Sequence, residues 1–252
     1  MERMSVLSEH QERVMKRVLA EESAHREHVV VYLSGAHAYG FPSPDSDLDL
    51  KAIHIAKTDD LLGFEPPAPT FDRAEVIEGV EIDYTSNELA HALSGMLAGN
   101  GNFIERVLGR LTIESSSMLL DLRLRAKSFL SRRVHKHYRG FAQNQLRFAE
   151  TEPSAKKLLY VLRTAMTGIH LLETGELETD LTRLMPEAMP LVQCKRSGER
   201  VAIDRALLEE WRPRIDALFV RLDRARDTSP LPEEPTGVSE LRDFLVAVRR
   251  QR

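Results

Sequence analysis

The stretch LSGAHAYGFPSPDSDLDLKAI, residues 33–53, decides how the rest of the chain is read. It joins a glycine-bounded turn, Gly35 to Gly40, to three alternating aspartates, Asp45, Asp47 and Asp49, where an apolar–polar alternation begins. That alternation predicts a β-strand over SDLDLKAIHIA, with the aspartates on one face and Ser46, Leu48 and Leu50 on the other. Like charges so placed repel unless something positive lies between them, so water, a lysine or a metal must answer them. Two loop motifs can be set aside. An EF-hand needs Gly at its sixth position and Glu at its twelfth, where this chain has Leu50 and Ala56. Gly35 and Gly40 have Walker A spacing, but Phe41 and Pro42 follow instead of Lys and Ser/Thr. A third reading survives: carboxylates clamping a divalent metal beside a glycine turn that holds a triphosphate.

Upstream, HVVVYLSG is a continuous β-branched run and predicts a buried strand; residues 1–28 suit an amphipathic helix. Downstream, APTFDRAEVIEGVEIDYTS holds two short strands around a Glu78-Gly79 turn. The second places Asp83 on one face with Val80, Ile82 and Tyr84 on the other. Asp83 can then complete a triad with Asp47 and Asp49, and Glu81 is the competing third ligand. From Ser86 the pattern turns helical, with Ser86 or Asn87 as a cap. Helices are predicted at Phe103–Leu108, Ser117–Leu130, Val134–Glu150, Ala155–Glu173 and Leu177–Met185, with a short hairpin within MPLVQCKRSGERVAIDRALLEEW. DTSPLPEEPTG reads as a proline-rich linker before a last amphipathic segment, Val238–Val248. The expected fold is α+β: a small mixed sheet with flanking helices over residues 1–112, a helical domain over 113–227, and the linker with its terminal helix over 228–252.

The 252 residues carry a formal charge of −4, which argues against a chain coated in positive charge for bulk nucleic-acid binding. One cysteine, Cys194, excludes an intramolecular disulfide and a multi-thiolate metal site and fits a reducing compartment. No apolar run has signal-peptide or membrane-span length, so a cytoplasmic protein without a membrane partner is expected.

SGAHAYGFPSPDSDLDLKAI followed by EIDY resembles the polymerase-β-type nucleotidyltransferase superfamily, most closely its RNA-repair-associated polymerase-β-like group. GNGNFIERVLG, HKHYRGFAQNQLR and KKLLYVLRTA extend the resemblance over roughly residues 29–180. Residue by residue, Gly35 matches the turn glycine, Asp47 and Asp49 the D-x-D, and Asp83 the third aspartate. The serine that follows the turn glycine in the family is Ala36 here, with Ser34 before Gly35 as a substitute. The resemblance implies catalytic and metal-holding roles for Asp47, Asp49 and Asp83, with Mg²⁺ or else Mn²⁺ as the metal. It implies an NTP substrate, ATP being expected, and an acceptor that is an RNA end, a protein side chain or a small molecule. The nucleotide site is expected to draw on Ser34, Gly35, Ala36 and Tyr39, with Lys156 and Arg163 on one helical face with Tyr160. Asn102 and Glu105 are raised by the resemblance as contacts near the nucleotide, while the residues alone read as turn and cap.

Lys51 is expected beside Asp49 as a charge partner, and His37 as a loop residue facing solvent or nucleotide. Arg132, Lys136, Arg139, Gln143 and Arg147 form a helical stripe that would suit a triphosphate or an RNA end. His170, Trp211 and Cys194 read as packing. Two functions follow: metal-dependent transfer of an NMP to an acceptor hydroxyl with release of pyrophosphate, or a catalytically inactive nucleotide-binding or adaptor module of the same fold.

Overall fold

The computed structural model describes residues 6–197, 203 and 205–252. Helix α1, Glu9–Ser23, starts at a capping box in which Ser8 and Gln11 satisfy each other's backbone N–H groups. Strand β1, Glu27–Leu33, leads into a one-turn helix α2, Gly35–Ala38, and then β2, Leu48–Ile55. A short α3, Thr58–Leu62, precedes the hairpin of β3, Thr70–Ile77, and β4, Val80–Glu88. Glu78 and Gly79 turn that hairpin at φ 51° and 82°, both left-handed, as a tight two-residue hairpin loop requires. Helices α4, Leu89–Leu97, and α5, Gly101–Leu108, come before a fifth strand, β5, Thr112–Ser115.

The strand order is β3-β4-β2-β1-β5, with β2 and β4 parallel and the other neighbours antiparallel. The sheet is therefore mixed, and the fold α+β. Because β5 pairs with β1, the sheet layer runs to Ser115, slightly beyond the expected boundary at 112. β1 is covered on both faces, which explains its unbroken apolar run. On one face Val31, Leu33, Leu48, Leu50, Ile82 and Tyr84 bury against α1. On the other, Val30, Tyr32, Ile53 and Ile55 join the larger core built by the remaining helices. Asp49, Lys51 and Asp83 belong by alternation to this second face.

The helical part follows as α6, Ser117–Leu124, α7, Ala126–Phe129, α8, Val134–Thr151, α9, Ala155–Thr174, α10, Leu181–Leu184, a 3₁₀ turn, α11, Met189–Arg196, α12, Arg205–Asp227, and α13, Val238–Arg249. α8 and α9 pack side by side, α12 covers both, and α13 returns to α4 and α7. Arg249 there pairs with Glu88 and donates to Ala56 O at 3.0 Å. Three expectations change. The helix expected over 117–130 is two, α6 and α7, and that over 177–185 shrinks to α10. The hairpin expected after Met189 is helix α11 where it is described; its remainder lies largely outside the described residues. No helix among the described residues is long and apolar enough to cross a membrane.

Candidate active site

Strand β2 begins at Leu48, so Asp45 lies in the preceding turn, exposed, and does not share the face of Asp49 as the alternation implied. The parallel register sets Asp49 directly opposite Asp83. Between them stands Lys51: its Nζ is 2.8 Å from Asp83 Oδ1 and 3.9 Å from Asp49 Oδ1. The same ammonium donates to Asp83 O at 3.3 Å and to Thr85 Oγ1 at 3.4 Å. A positive charge that answers these two aspartates is thus Lys51, on the same strand as Asp49.

Asp47 lies against Glu81 instead. Burial first, then the hydrogen bond with Glu81, push the Asp47 carboxyl up from 3.8 to about 6, against the pull of Lys156. The four carboxylates form two pairs, Asp49 with Asp83 and Asp47 with Glu81. Among the described residues no three His, Cys, Asp or Glu side chains already stand as a metal cage. The donor chemistry nevertheless fits a divalent cation: hard oxygens at a strand end, with room for positive charge that Lys51 already fills.

The turn after β1 is shaped by the same carboxylate. Ser34 N–H donates to Asp49 O at 2.8 Å, extending the β1–β2 ladder by one step. Gly35 then adopts φ 62°, and a Cβ placed there would run into the Asp49 carboxylate. Only glycine allows both the left-handed backbone and this approach. Gly35→Ala is expected to cost about 2–4 kcal/mol of stability, from backbone strain plus overpacking, and to push Asp49 out of register. Chemical denaturation measures it; wild-type stability would mean that the turn does not rest on Asp49. Ala36 is buried in the larger core and its side chain does not line the cavity, so its expected role at the nucleotide reduces to its backbone. His37 is likewise buried.

A cavity of about 300 Å³ opens beside this turn. Ser34, Gly35, Tyr39, Asp49 and Lys51 line it from the turn and sheet, and Asn102, Glu105, Arg106 and Tyr160 from the helices. Asn100 caps α5 by accepting from the Asn102 N–H at 3.0 Å. Tyr39 anchors the turn: its hydroxyl lies 3.1 Å from Ser34 Oγ and donates to Glu105 Oε2 at 3.4 Å. Burial pushes this phenol up to about 12, so it remains a neutral donor. Tyr160 meets the Tyr39 ring edge-on at 5.7 Å.

Arg163, expected to reach the triphosphate, is instead buried beneath Tyr39, with its guanidinium 3.4 Å from the ring centroid. It grips Glu105 bidentately at 2.9 and 3.1 Å. Glu105 also accepts from Tyr138 at 3.2 Å. Arg163 therefore supports the turn and presents no free charge to the cavity. Lys156 acts at the other carboxylate pair, close enough to bias Asp47.

The remainder of the turn is held by the helical part. Thr179 Oγ1 donates to Ala38 O and Leu181 N–H to Tyr39 O, both at 3.0 Å. Arg196 donates to Gly40 O at 3.1 Å. Lys195, fully buried, donates to the Ser43 and Ser46 hydroxyls at 2.6 and 2.7 Å, fixing the chain just before Asp47. Of the basic stripe expected on a helix, Arg132 lies in the turn before α8, and the stripe has mostly structural work. Arg132 donates to Leu231 O and Ser229 O in the proline-rich segment, and Arg139 pairs with Asp223 at 3.3 Å. Sequence reasoning missed Arg106, Thr85 and Lys195. A charged pair, Glu105-Arg106, inside the otherwise apolar FIERVL was the available signal for the first.

The model of the RNA repair pathway DNA polymerase beta family matches residues 7–247. An uncharacterized protein of Methanocaldococcus jannaschii is 28% identical over 225 residues, covering 85% of this chain and 90% of that protein. A nucleotidyltransferase-like protein from Exiguobacterium sibiricum aligns in three dimensions over 96% of this chain and 80% of its own, at 12% identity and a TM-score of 0.36. With the family's match spanning nearly the whole length, sheet and helices alike, the chain belongs to the RNA repair pathway DNA polymerase beta family.

Proposed function

We propose that this protein transfers a nucleoside monophosphate from an NTP, ATP in the first instance, to an acceptor hydroxyl and releases pyrophosphate. The observation that carries the reading is the facing pair Asp49 and Asp83, with the Gly35 turn packed against the Asp49 carboxylate and the cavity opening beside both. The acceptor oxygen forms the new bond to the α-phosphorus, and the α–β bridging oxygen leaves with pyrophosphate. Asp47, Asp49 and Asp83 would hold Mg²⁺ or Mn²⁺ where Lys51 now supplies positive charge, and such a cation neutralises triphosphate charge and lowers the pKa of an acceptor hydroxyl. Lys51 would then release the two aspartates, with its ammonium kept within reach of a phosphate oxygen. Ser34, Gly35 and the Ala36 backbone would face the phosphates, and Tyr39, braced by Arg163 and Glu105, would hold the turn in place. Glu81 would adjust Asp47 from the side. Among acceptors, the family's description favours an RNA end over a protein side chain or a small molecule.

The competing reading, a nucleotide-binding module without chemistry, rests on Ala36 in place of the family's serine. Incubation with α-labelled NTPs, Mg²⁺ and a mixture of RNA, protein and small-molecule acceptors separates the two. Metal-dependent transfer of label supports the enzyme. NTP binding without transfer to any acceptor supports the module.

A further inference from the structure

The described residues include two buried arginines, and they are treated differently. Arg163 is neutralised by Glu105 through two hydrogen bonds. Arg106, 6% exposed, lines the candidate-site cavity and makes no direct ion pair; burial lowers its pKa to about 10, outweighing the upward pull of Asp72 and Asp83 from a distance. Its Nη1 donates to Ala52 O at 2.9 Å and to Asn87 Oδ1. Its Nε, like that of Arg163, has no hydrogen-bond partner, so the two differ in the ion pair alone. Among the described residues no carboxylate comes within ion-pairing distance of it. The Phe103 ring lies 5.0 Å from the guanidinium and covers it without offering a full negative charge.

A desolvated cation without a direct ion pair is costly to retain, whereas the same cation facing an anionic ligand forms strong charge-assisted hydrogen bonds. The cavity that Arg106 lines is walled across by the Ser34–Gly35 turn, which the reading above assigns to phosphate. The burial of Arg106, its missing ion pair and its unpartnered Nε point the same way. We infer that Arg106 receives the polyphosphate tail of the nucleotide and, beside Lys51, is a second cation that reads its negative charge in this cavity. This rests on the nucleotidyl-transfer reading and adds to it a binding residue on α5. A planar guanidinium suits the task because it can present parallel N–H groups to two phosphate oxygens.

The test compares wild type with Arg106→Met and Arg106→Lys. Ligands are ATP with Mg²⁺, adenosine, and inorganic tripolyphosphate in EDTA, followed by calorimetry and thermal shift. Arg106→Met should weaken ATP and tripolyphosphate at least tenfold and leave adenosine unchanged. Arg106→Lys should recover part of the loss, since it restores charge without the fork. The ligand-free melting temperature of Arg106→Met should be equal to or above wild type, because a buried cation without a direct ion pair has been removed. Equal ATP affinity in wild type and Arg106→Met would overturn the inference and leave the nucleotide reading standing. Tripolyphosphate bound through Arg106, with ATP not bound at all, would make Arg106 a site for free polyphosphate and overturn both the inference and that reading. A lower ligand-free melting temperature, with ATP and adenosine weakened alike, would make Arg106 a structural tie between Ala52 and Asn87. Failure of wild type to bind any of the polyanions would overturn both.

Discussion

Asp49→Asn is expected to lower label transfer at least about 10³-fold, a loss of about 4 kcal/mol of transition-state stabilisation, and Asp47→Asn to do the same. Both replacements keep side-chain volume and remove no apolar contact, so the fold should survive. Turnover at wild-type rate by both variants would take these carboxylates out of the chemistry. The Asp47 variant carries a second expectation, in metal-free protein. With its carboxyl raised to about 6, native Asp47 binds a proton between pH 4 and 6 that the unfolded chain has already released. Its contribution to stability is therefore lost as pH rises through that window. Asparagine has no such loss. The melting temperature of Asp47→Asn should gain on wild type from pH 4 to 7 and then level off. The gain should reach about 1 kcal/mol after allowance for solvent screening of a partly exposed group, or roughly 2–4 °C. Burial, with Arg26 adding to it, lowers His28 and His54 to about 4, so both destabilise the native state as pH falls from 6.5 toward 4. They do so in both proteins, so only the difference is diagnostic. A difference independent of pH would mean that Asp47 titrates normally.

The largest expected effect on stability lies one layer deeper. Arg163 and Glu105 have side chains only 5% and 3% exposed, joined by two hydrogen bonds. Removing one member leaves the other charged and desolvated, so Arg163→Met should cost about 3–5 kcal/mol. Adding Glu105→Gln to Arg163→Met should restore much of it, because the stranded carboxylate is gone. The pair's value is read from the double-mutant cycle by urea denaturation. Strictly additive losses would show that the two side chains act independently. Because Tyr39 lies on Arg163 and bonds to Glu105, the single variants should also loosen the Ser34–Gly35 turn. NTP affinity should then fall even where the protein is still folded.

The parts of this site that follow strand periodicity could be read before any coordinates. Asp49 and Asp83 share a face because Leu48, Leu50, Ile82 and Tyr84 claim the other, and a one-residue slip would invert both sets. The Glu78-Gly79 turn announced the hairpin. Asp45 went astray because Pro42 and Pro44 keep the chain irregular until Leu48, so alternation in the letters began before alternation in the backbone. Arg163 and Arg139 were placed on helices correctly, whereas Arg132 lies in the turn before α8, and helical spacing does not say what stands opposite a charge. Their partners, Glu105, the carbonyls of the 227–231 segment and Asp223, are dozens of residues away in sequence. Lys195 and Arg106 were missed for the same reason. The aspartate face was local information, and the cations around it were tertiary.

The clamp on the 38–46 segment also sets a schedule. Thr179 is 141 residues from Ala38, and Lys195 is 152 from Ser43. On a ribosome adding about 5–20 residues per second, every strand of the sheet is out several seconds before the last clamp residues are. During that interval the acidic end of β2 exists without the contacts that fix Asp47 and Tyr39. A nascent chain can thus have every strand of its sheet synthesised and still lack the contacts that hold the candidate site, the last of which come only with the synthesis of α11.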